Sequence, residues 1–334
     1  MSDSSNPPAT VAIRIFGGVS YGLLSTGGIT LNVLLVTILI QGRSSFKKNA
    51  FYTITWHLAM CDLLTHVMEM IVPVPSTFAG SDIYGSTLFL NIPCFIDTVA
   101  YNGTLYFSVL MTVNRFTVFI LPSVNNIMFH QSRLYITIAC TWLYVILLVV
   151  GLNVFACNKS FSSTGFFYYH VCPPWDEMPE FGQFIKIVTE IGSTYLPVAM
   201  LITYVVIIIY IRLKIRYEWK NGRLFRKNLG FRNHEAALTA REYSLLAQSL
   251  LICGFIEIQN IVFVVLPTIR LSGQWHYVLN FAGNWVSLLL SSIHPIVLFT
   301  FNSDIKSRLK RLFHTCFRSP TVTINVASSV VAVS

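Results

Sequence analysis

Seven stretches of this chain are long and apolar enough to cross a lipid bilayer as helices, and nothing else in the sequence constrains the fold as much. A bilayer core is matched by about 20 apolar residues, because a helix rises about 1.5 Å per residue. Ile15 to Ile40 carries no charge. Ala50 to Val74 carries only Asp62 and Glu69, Pro93 to Asn114 only Asp97, and Leu134 to Phe155 none. Ile187 to Ile211 holds only Glu190, Tyr243 to Leu266 only Glu257, and Tyr277 to Phe301 has only His294 as a chargeable group. Continuous apolar runs exclude a closed barrel, whose strands alternate over shorter segments. The expected fold is an all-α membrane protein, a bundle of seven transmembrane helices.

Charged residues make up 11% of the chain, against about 25% in soluble domains, so the outer surface must largely face lipid. The net charge of +9 matters for where it sits. Of the 23 Lys and Arg, 19 fall on one side of the membrane if the chain crosses seven times. They are Arg43, Lys47 and Lys48, then Arg115 and Arg133, then nine between Arg212 and Glu242, then five in the tail. Basic loops stay in the cytoplasm. The N-terminus (1–14) is therefore expected outside, the bundle over 15–301, and an amphipathic eighth helix and tail (302–334) inside, at the plasma membrane. The basic charge serves this topology and lipid contact, with no nucleic-acid partner expected. The polar opening residues lack a basic stretch followed by a short apolar core, so no cleavable signal peptide is expected.

Asn158-Lys159-Ser160 is a glycosylation sequon in a loop assigned outside; Asn102-Gly103-Thr104 lies within a span and is expected to stay bare. The seven cysteines include no CxxC pair and no His/Cys cluster of metal-ligand spacing. His57 and His66 do not form HExxH, and no Ser/Lys or paired-Asp motif accompanies them, so no enzyme is expected. A transporter or channel for a small solute or ion is the alternative class. The scattered Asp62, Glu69, Glu190 and Glu257 favour it, and the absence of internal repeats opposes it.

Several short motifs then occur in a telling order. The first span has Asn32 followed by Val36, and the second reads Leu58-Ala59-Met60-Cys61-Asp62. The third ends Asn114-Arg115-Phe116, with Pro122 seven residues after the arginine. Trp142 lies in the fourth and Pro197 in the fifth, and the seventh ends His294-Pro295-Ile296-Val297-Leu298 before Phe301-Asn302-Ser303-Asp304. Over residues 20–318 this order resembles the rhodopsin-like receptor family, with its GNxxV, LAxxD, DRY and NPxxY landmarks. It is most similar to nematode serpentine chemoreceptors. The resemblance implies a G-protein-coupled chemosensory receptor that binds an external small molecule and activates a heterotrimeric G protein. Three departures stand out: the sixth span lacks CWxP, Asn114 replaces an acid, and Leu298 replaces a tyrosine.

Site residues follow from the resemblance and from burial chemistry. Arg115, with Asn114, is the expected switch at the G-protein-coupling end. Asp62 is expected to meet His294, beside Pro295, with a sodium ion near Asp62 as a candidate cofactor. Asp97 has the spacing that carries the amine-binding acid in aminergic relatives, against the plainer reading of a polar residue at the wet end of a helix. Tyr101, Glu69, Glu190, Glu257 and Trp285 are expected to line the same polar cavity. The family's outer disulfide implies Cys94 bridging to Cys172, with Cys157 as the alternative partner. Cys316, after the amphipathic segment, is a candidate palmitoylation site.

Overall fold

The computed structural model describes residues 7–46, 49–84, 87–220, 229–269 and 271–317. Seven long helices run through it: α1 (Val11–Gln41), α3 (Ala50–Ile71), α5 (Thr87–Phe119), α7 (Gln131–Phe155), α8 (Glu180–Lys220), α9 (Leu229–Val265) and α10 (Trp275–Phe301). Short helices α2 (Arg43–Phe46), α4 (Pro73–Ala79), α6 (Pro122–Met128) and α11 (Ser303–Phe317) lie at their ends. A two-stranded antiparallel hairpin, β1 (Asn158–Ser162) with β2 (Phe167–Val171), joins α7 to α8.

Length and composition alone mark six of these helices as able to cross a membrane: α1, α3 continued through α4, α7, α8, α9 and α10. Their outer faces expose Leu23, Leu143, Ile202 and Val264, each more than half exposed; water would penalise such a surface and lipid accepts it. The seventh helix, α5, packs against α3, α7, α8 and α9. It is central and more polar, burying Asp97, Thr98, Asn102, Thr104, Ser108, Thr112 and Asn114. Its hydroxyls and amide bond back one turn: Asn102 Nδ2 donates to Thr98 O at 2.9 Å, Ser108 Oγ to Thr104 O at 2.7 Å and Thr112 Oγ1 to Ser108 O at 2.9 Å. A polar stripe thereby satisfies itself without water.

Several helices extend beyond the hydropathy reading, α1, α5, α8 and α9 the furthest. Helix α1 begins at Val11, where Thr10 caps it by accepting from Ile13 N at 3.4 Å. Helix α5 begins at Thr87, with Pro93 inside it; in an early turn the missing N–H loosens the helix without ending it. Helices α8 and α9 run past their apolar cores to Lys220 and from Leu229, because Lys, Arg and Glu are good helix formers outside lipid.

One close approach fixes how α1 meets α3. A Cβ on Gly28 would lie 2.1 Å from the His66 ring. Only glycine lets that buried imidazole sit against the α1 backbone, where His66 Nε2 lies 3.3 Å from Ser292 Oγ of α10. Asn32 adds a second tie, donating to Gly28 O at 3.0 Å and to Ser291 O at 3.1 Å.

Candidate functional site

The bundle has two differently built ends. At one, the hairpin folds inward over the helices. Cys157 and Cys172 flank its paired residues Asn158 and Val171 and are disulfide-bonded, with Cα atoms 4.3 Å apart. Its tip is anchored by Phe166, which is buried and adopts a left-handed φ of 62°. A non-glycine residue there is strained by roughly 1–3 kcal/mol, offset by packing: the Phe166 ring lies 5.6 Å from both Phe281 and Tyr277. Tyr21 Oη donates to Phe166 O at 2.9 Å, Asn280 Nδ2 to Gly165 O at 2.8 Å, and Asn284 Nδ2 to Tyr21 Oη at 3.0 Å.

Beneath the hairpin lies a cavity of about 670 Å³ between α3, α5, α7, α8, α9 and α10. Four of the expected ligand residues line it: Glu69, Asp97, Tyr101 and Glu190. Two do not. Glu257 is two residues, about 200° round the helix, from the cavity-lining Gln259. Trp285 turns to α1, donating from Nε1 to Ser20 Oγ at 2.9 Å and packing against Phe16.

The hairpin brings a lysine that the apolar spans did not suggest. Lys159 Nζ forms an ion pair with Asp97 Oδ2, and its ammonium sits 4.1 Å over the Tyr168 ring. Asp97 is 4% exposed, so this partner decides whether a charge there is tolerable. Burial, then the carboxylates of Glu69 and Asp97, hold the Tyr168 phenol well above its usual range. Its hydroxyl therefore stays protonated, and it has no hydrogen-bond partner among the described residues.

Cys94 is not in the disulfide. It is a free, fully buried thiol on α5, one turn before Asp97. Cys172 instead meets Cys157 because cross-strand pairing brings the hairpin's two ends together. The expected Cys94–Cys172 bridge is thus corrected, and with it the alternative Cys94–Cys157. Asn158 is exposed on β1, whereas Asn102 is 3% exposed within α5.

Midway down the bundle, His294 Nδ1 and Asp62 Oδ2 share a hydrogen bond of 2.5 Å, and Thr104 Oγ1 donates to Asp62 Oδ1 at 3.4 Å. Both partners are essentially unexposed. A hard cation takes several oxygen ligands. Here both carboxylate oxygens are engaged by the protein and the nearest neighbour is an imidazole, so this donor set does not suit a sodium ion.

At the other end, Arg115 is 1% exposed. Its Nη2 donates to Asn114 Oδ1 at 2.8 Å and its guanidinium lies 5.0 Å over the Phe51 ring. Asn114 supplies a neutral acceptor where the DRY landmark carries an acid, and its Nδ2 donates to Asn125 Oδ1 of α6 at 3.3 Å. Nearby, Asn302 Nδ2 donates to Gln248 Oε1 and to Tyr52 Oη, both at 3.3 Å, and Asn302 Oδ1 accepts from Asp304 N and Ile305 N at 3.1 Å. Pro295 lies inside α10 one residue past His294. Helix α11 runs through Cys316, whose side chain lies outside the described residues.

The comparisons agree with this architecture. Residues 23–302 match the family described as serpentine type 7TM GPCR chemoreceptor Srx. No curated protein matches the chain. Among solved structures, squid rhodopsin superposes with a TM-score of 0.75 at 12% identity, covering 93% of this chain and 88% of that one; at that identity the likeness is one of fold. Neither finding supports a transporter or channel.

Proposed function

Because the chain belongs to the Srx family of serpentine seven-helix G-protein-coupled chemoreceptors, we propose that an external small molecule binds in the cavity under the hairpin and that the Arg115 end then engages a heterotrimeric G protein. The observation that carries this reading is the cavity itself: about 670 Å³, lined by six long helices and a hairpin, with acids and amides converging on it. Concave sites of this size with few polar groups are the usual small-molecule sites of helical bundles. The family and fold are those of receptors, which are not enzymes. The hairpin and N-terminus face outward and Arg115, the basic α8–α9 connection and α11 face the cytoplasm, as the loop charge asymmetry favours. In this orientation the exposed Asn158 lies on the side where glycosylation takes place, Cys316 belongs to the cytoplasmic segment where palmitoylation takes place, and the disulfide lies in an oxidising compartment.

Coupling between the two ends requires an element with two arrangements that the ligand biases. The Asp62–His294 bond lies between the cavity and Arg115 and joins α3 to α10, so it is the contact placed to shift. The test is a G-protein dissociation assay in cells expressing the chain, screened with volatile and water-soluble small molecules, with Arg115→Ala as control. A ligand-dependent signal that Arg115→Ala abolishes at unchanged surface level is the expected result. An equal signal from Arg115→Ala would remove the assigned coupling end.

A further inference from the structure

The cavity is lined by three carboxyls, and their partners differ. Asp97 has Lys159 as its ion-pair partner. Glu190 sits at the mouth, its side chain 65% exposed, with Lys186 Nζ 4.0 Å away. Glu69 is 2% exposed, and its Oε2 has no hydrogen-bond partner among the described residues. It lines the same cavity as Asp97 and Lys159, but that ammonium is already engaged by Asp97. Among the described residues, two carboxyls therefore share one lysine at the hairpin end of the cavity. A buried carboxylate without a partner is costly, and an incoming cation would supply the countercharge that Glu69 lacks.

From this we propose that the ligand of the cavity is a small organic cation, an alkyl- or arylalkylammonium. Its N–H groups complete Glu69, while Asp97 is held back by Lys159. The inference rests on the cavity being the ligand site. It moves the anchor from α5 to α3, and it assigns the hairpin a part in selectivity. Lys159 is the built-in cation that limits the negative charge an incoming ammonium meets. An anionic ligand would face three carboxyls, and a neutral alcohol would leave Glu69 without a countercharge.

The experiment uses the purified full chain in lipid nanodiscs. Thermal unfolding is followed against increasing pentylammonium, pentanol and pentanoate in the wild type, Glu69→Gln and Lys159→Met. Saturable stabilisation by pentylammonium alone is expected. Glu69→Gln should need about tenfold to a hundredfold more of it, the range of a lost charge-assisted hydrogen bond. Lys159→Met leaves both acids without their lysine and should need about tenfold less. Because the two variants move in opposite directions, a general loss of fold cannot imitate the result. No stabilisation of the wild type by pentylammonium, equal stabilisation by pentanol or pentanoate, an unchanged Glu69→Gln, or a weakened Lys159→Met each overturns the inference. G-protein dissociation with pentylammonium separates the parent reading: binding that depends on Glu69 but never couples would sink the receptor cavity assignment while leaving the ammonium site standing.

Discussion

The hairpin end and the Arg115 end are held by different forces. The hairpin end is tied by a disulfide, by the Lys159–Asp97 ion pair and by an aromatic cluster of Phe161, Phe166, Tyr277 and Phe281. The Arg115 end has no disulfide among the described residues and is joined by separate hydrogen bonds and a cation–π contact: Arg115 to Asn114 and over Phe51, Asn114 to Asn125, Tyr52 to Asp304, and Asn302 with Tyr52 and Gln248. A neutral hydrogen bond contributes about 1 kcal/mol net and one to a charged group about 1.5–3 kcal/mol, so the described contacts of that end are individually modest. A frame that is stiff around its cavity and lightly latched at the far end suits a receptor. Ligand contact changes little at the rigid end and tips a balance of small terms at the other.

The largest effect should come from the bond between the two ends. Asp62→Ala strips His294 of its partner in a dry interior, and breaking a buried pair costs about 3–5 kcal/mol. Asp62→Asn and His294→Asn, alone and together, measure the bond itself by thermal unfolding in nanodiscs. The two should couple by more than about 0.5 kcal/mol. Strictly additive effects would show that the two side chains do not act as one unit and would cut the proposed link between cavity and switch.

Next comes the hairpin. Its disulfide closes 15 residues, and a loop of that length loses roughly 3 kcal/mol when the cross-link is removed. Cys172→Ser should lower unfolding stability by about that amount, and Cys157→Ser by the same. Cys94→Ser, a small change at a buried thiol, should cost about 1 kcal/mol, the middle of the range for point changes. A Cys94→Ser variant as damaged as Cys172→Ser would contradict the pairing.

These two predictions also show what the sequence could and could not say. The seven spans were legible because lipid imposes a length and a composition on each one, and Asp62 and His294 were legible because a polar residue inside such a span stands out. The hairpin was not. Lys159 and Tyr168 lie in a loop where hydropathy carries no signal, although Ser162-Ser163-Thr164-Gly165 between two β-prone runs is a turn cue. Without the hairpin, Cys94 was the natural partner for Cys172 and Asp97 was a free acid. Glu257 and Trp285 failed for a different reason: a polar residue in a span declares that it needs a partner, but only helix rotation decides whether that partner is the cavity or a neighbouring helix.

The contact of α1 with α3 gives a smaller, purely steric test. Gly28→Ala inserts a methyl where the His66 ring already lies 2.1 Å from the added carbon. Overpacking of this kind costs about 1–3 kcal/mol. Gly27→Ala, where nothing lies within 4 Å, should be neutral or slightly stabilising, because alanine is the better helix former by about 1 kcal/mol. Equal behaviour of the two variants in thermal unfolding would mean that His66 does not pack against α1 as described.

The smallest effect is expected at the lightly latched end, and it tests the comparison most directly. Asn302 caps α11 through Oδ1, which accepts from Asp304 N and Ile305 N, and reaches α9 through Nδ2 to Gln248. Asn302→Ala removes both, and loss of a cap alone costs about 1 kcal/mol. Asn302→Asp keeps the capping acceptor and should restore most of that stability. It also replaces the donor facing Gln248 Oε1 with a second acceptor, which loosens α9 from α10. If the far end is a balance of small terms, Asn302→Asp should therefore unfold close to the wild type and yet change basal G-protein dissociation. A variant that matches the wild type in both measurements would show that the Asn302 bridge to α9 plays no part in holding the inactive arrangement, and would leave the Asn114–Arg115 contact as the latch to test.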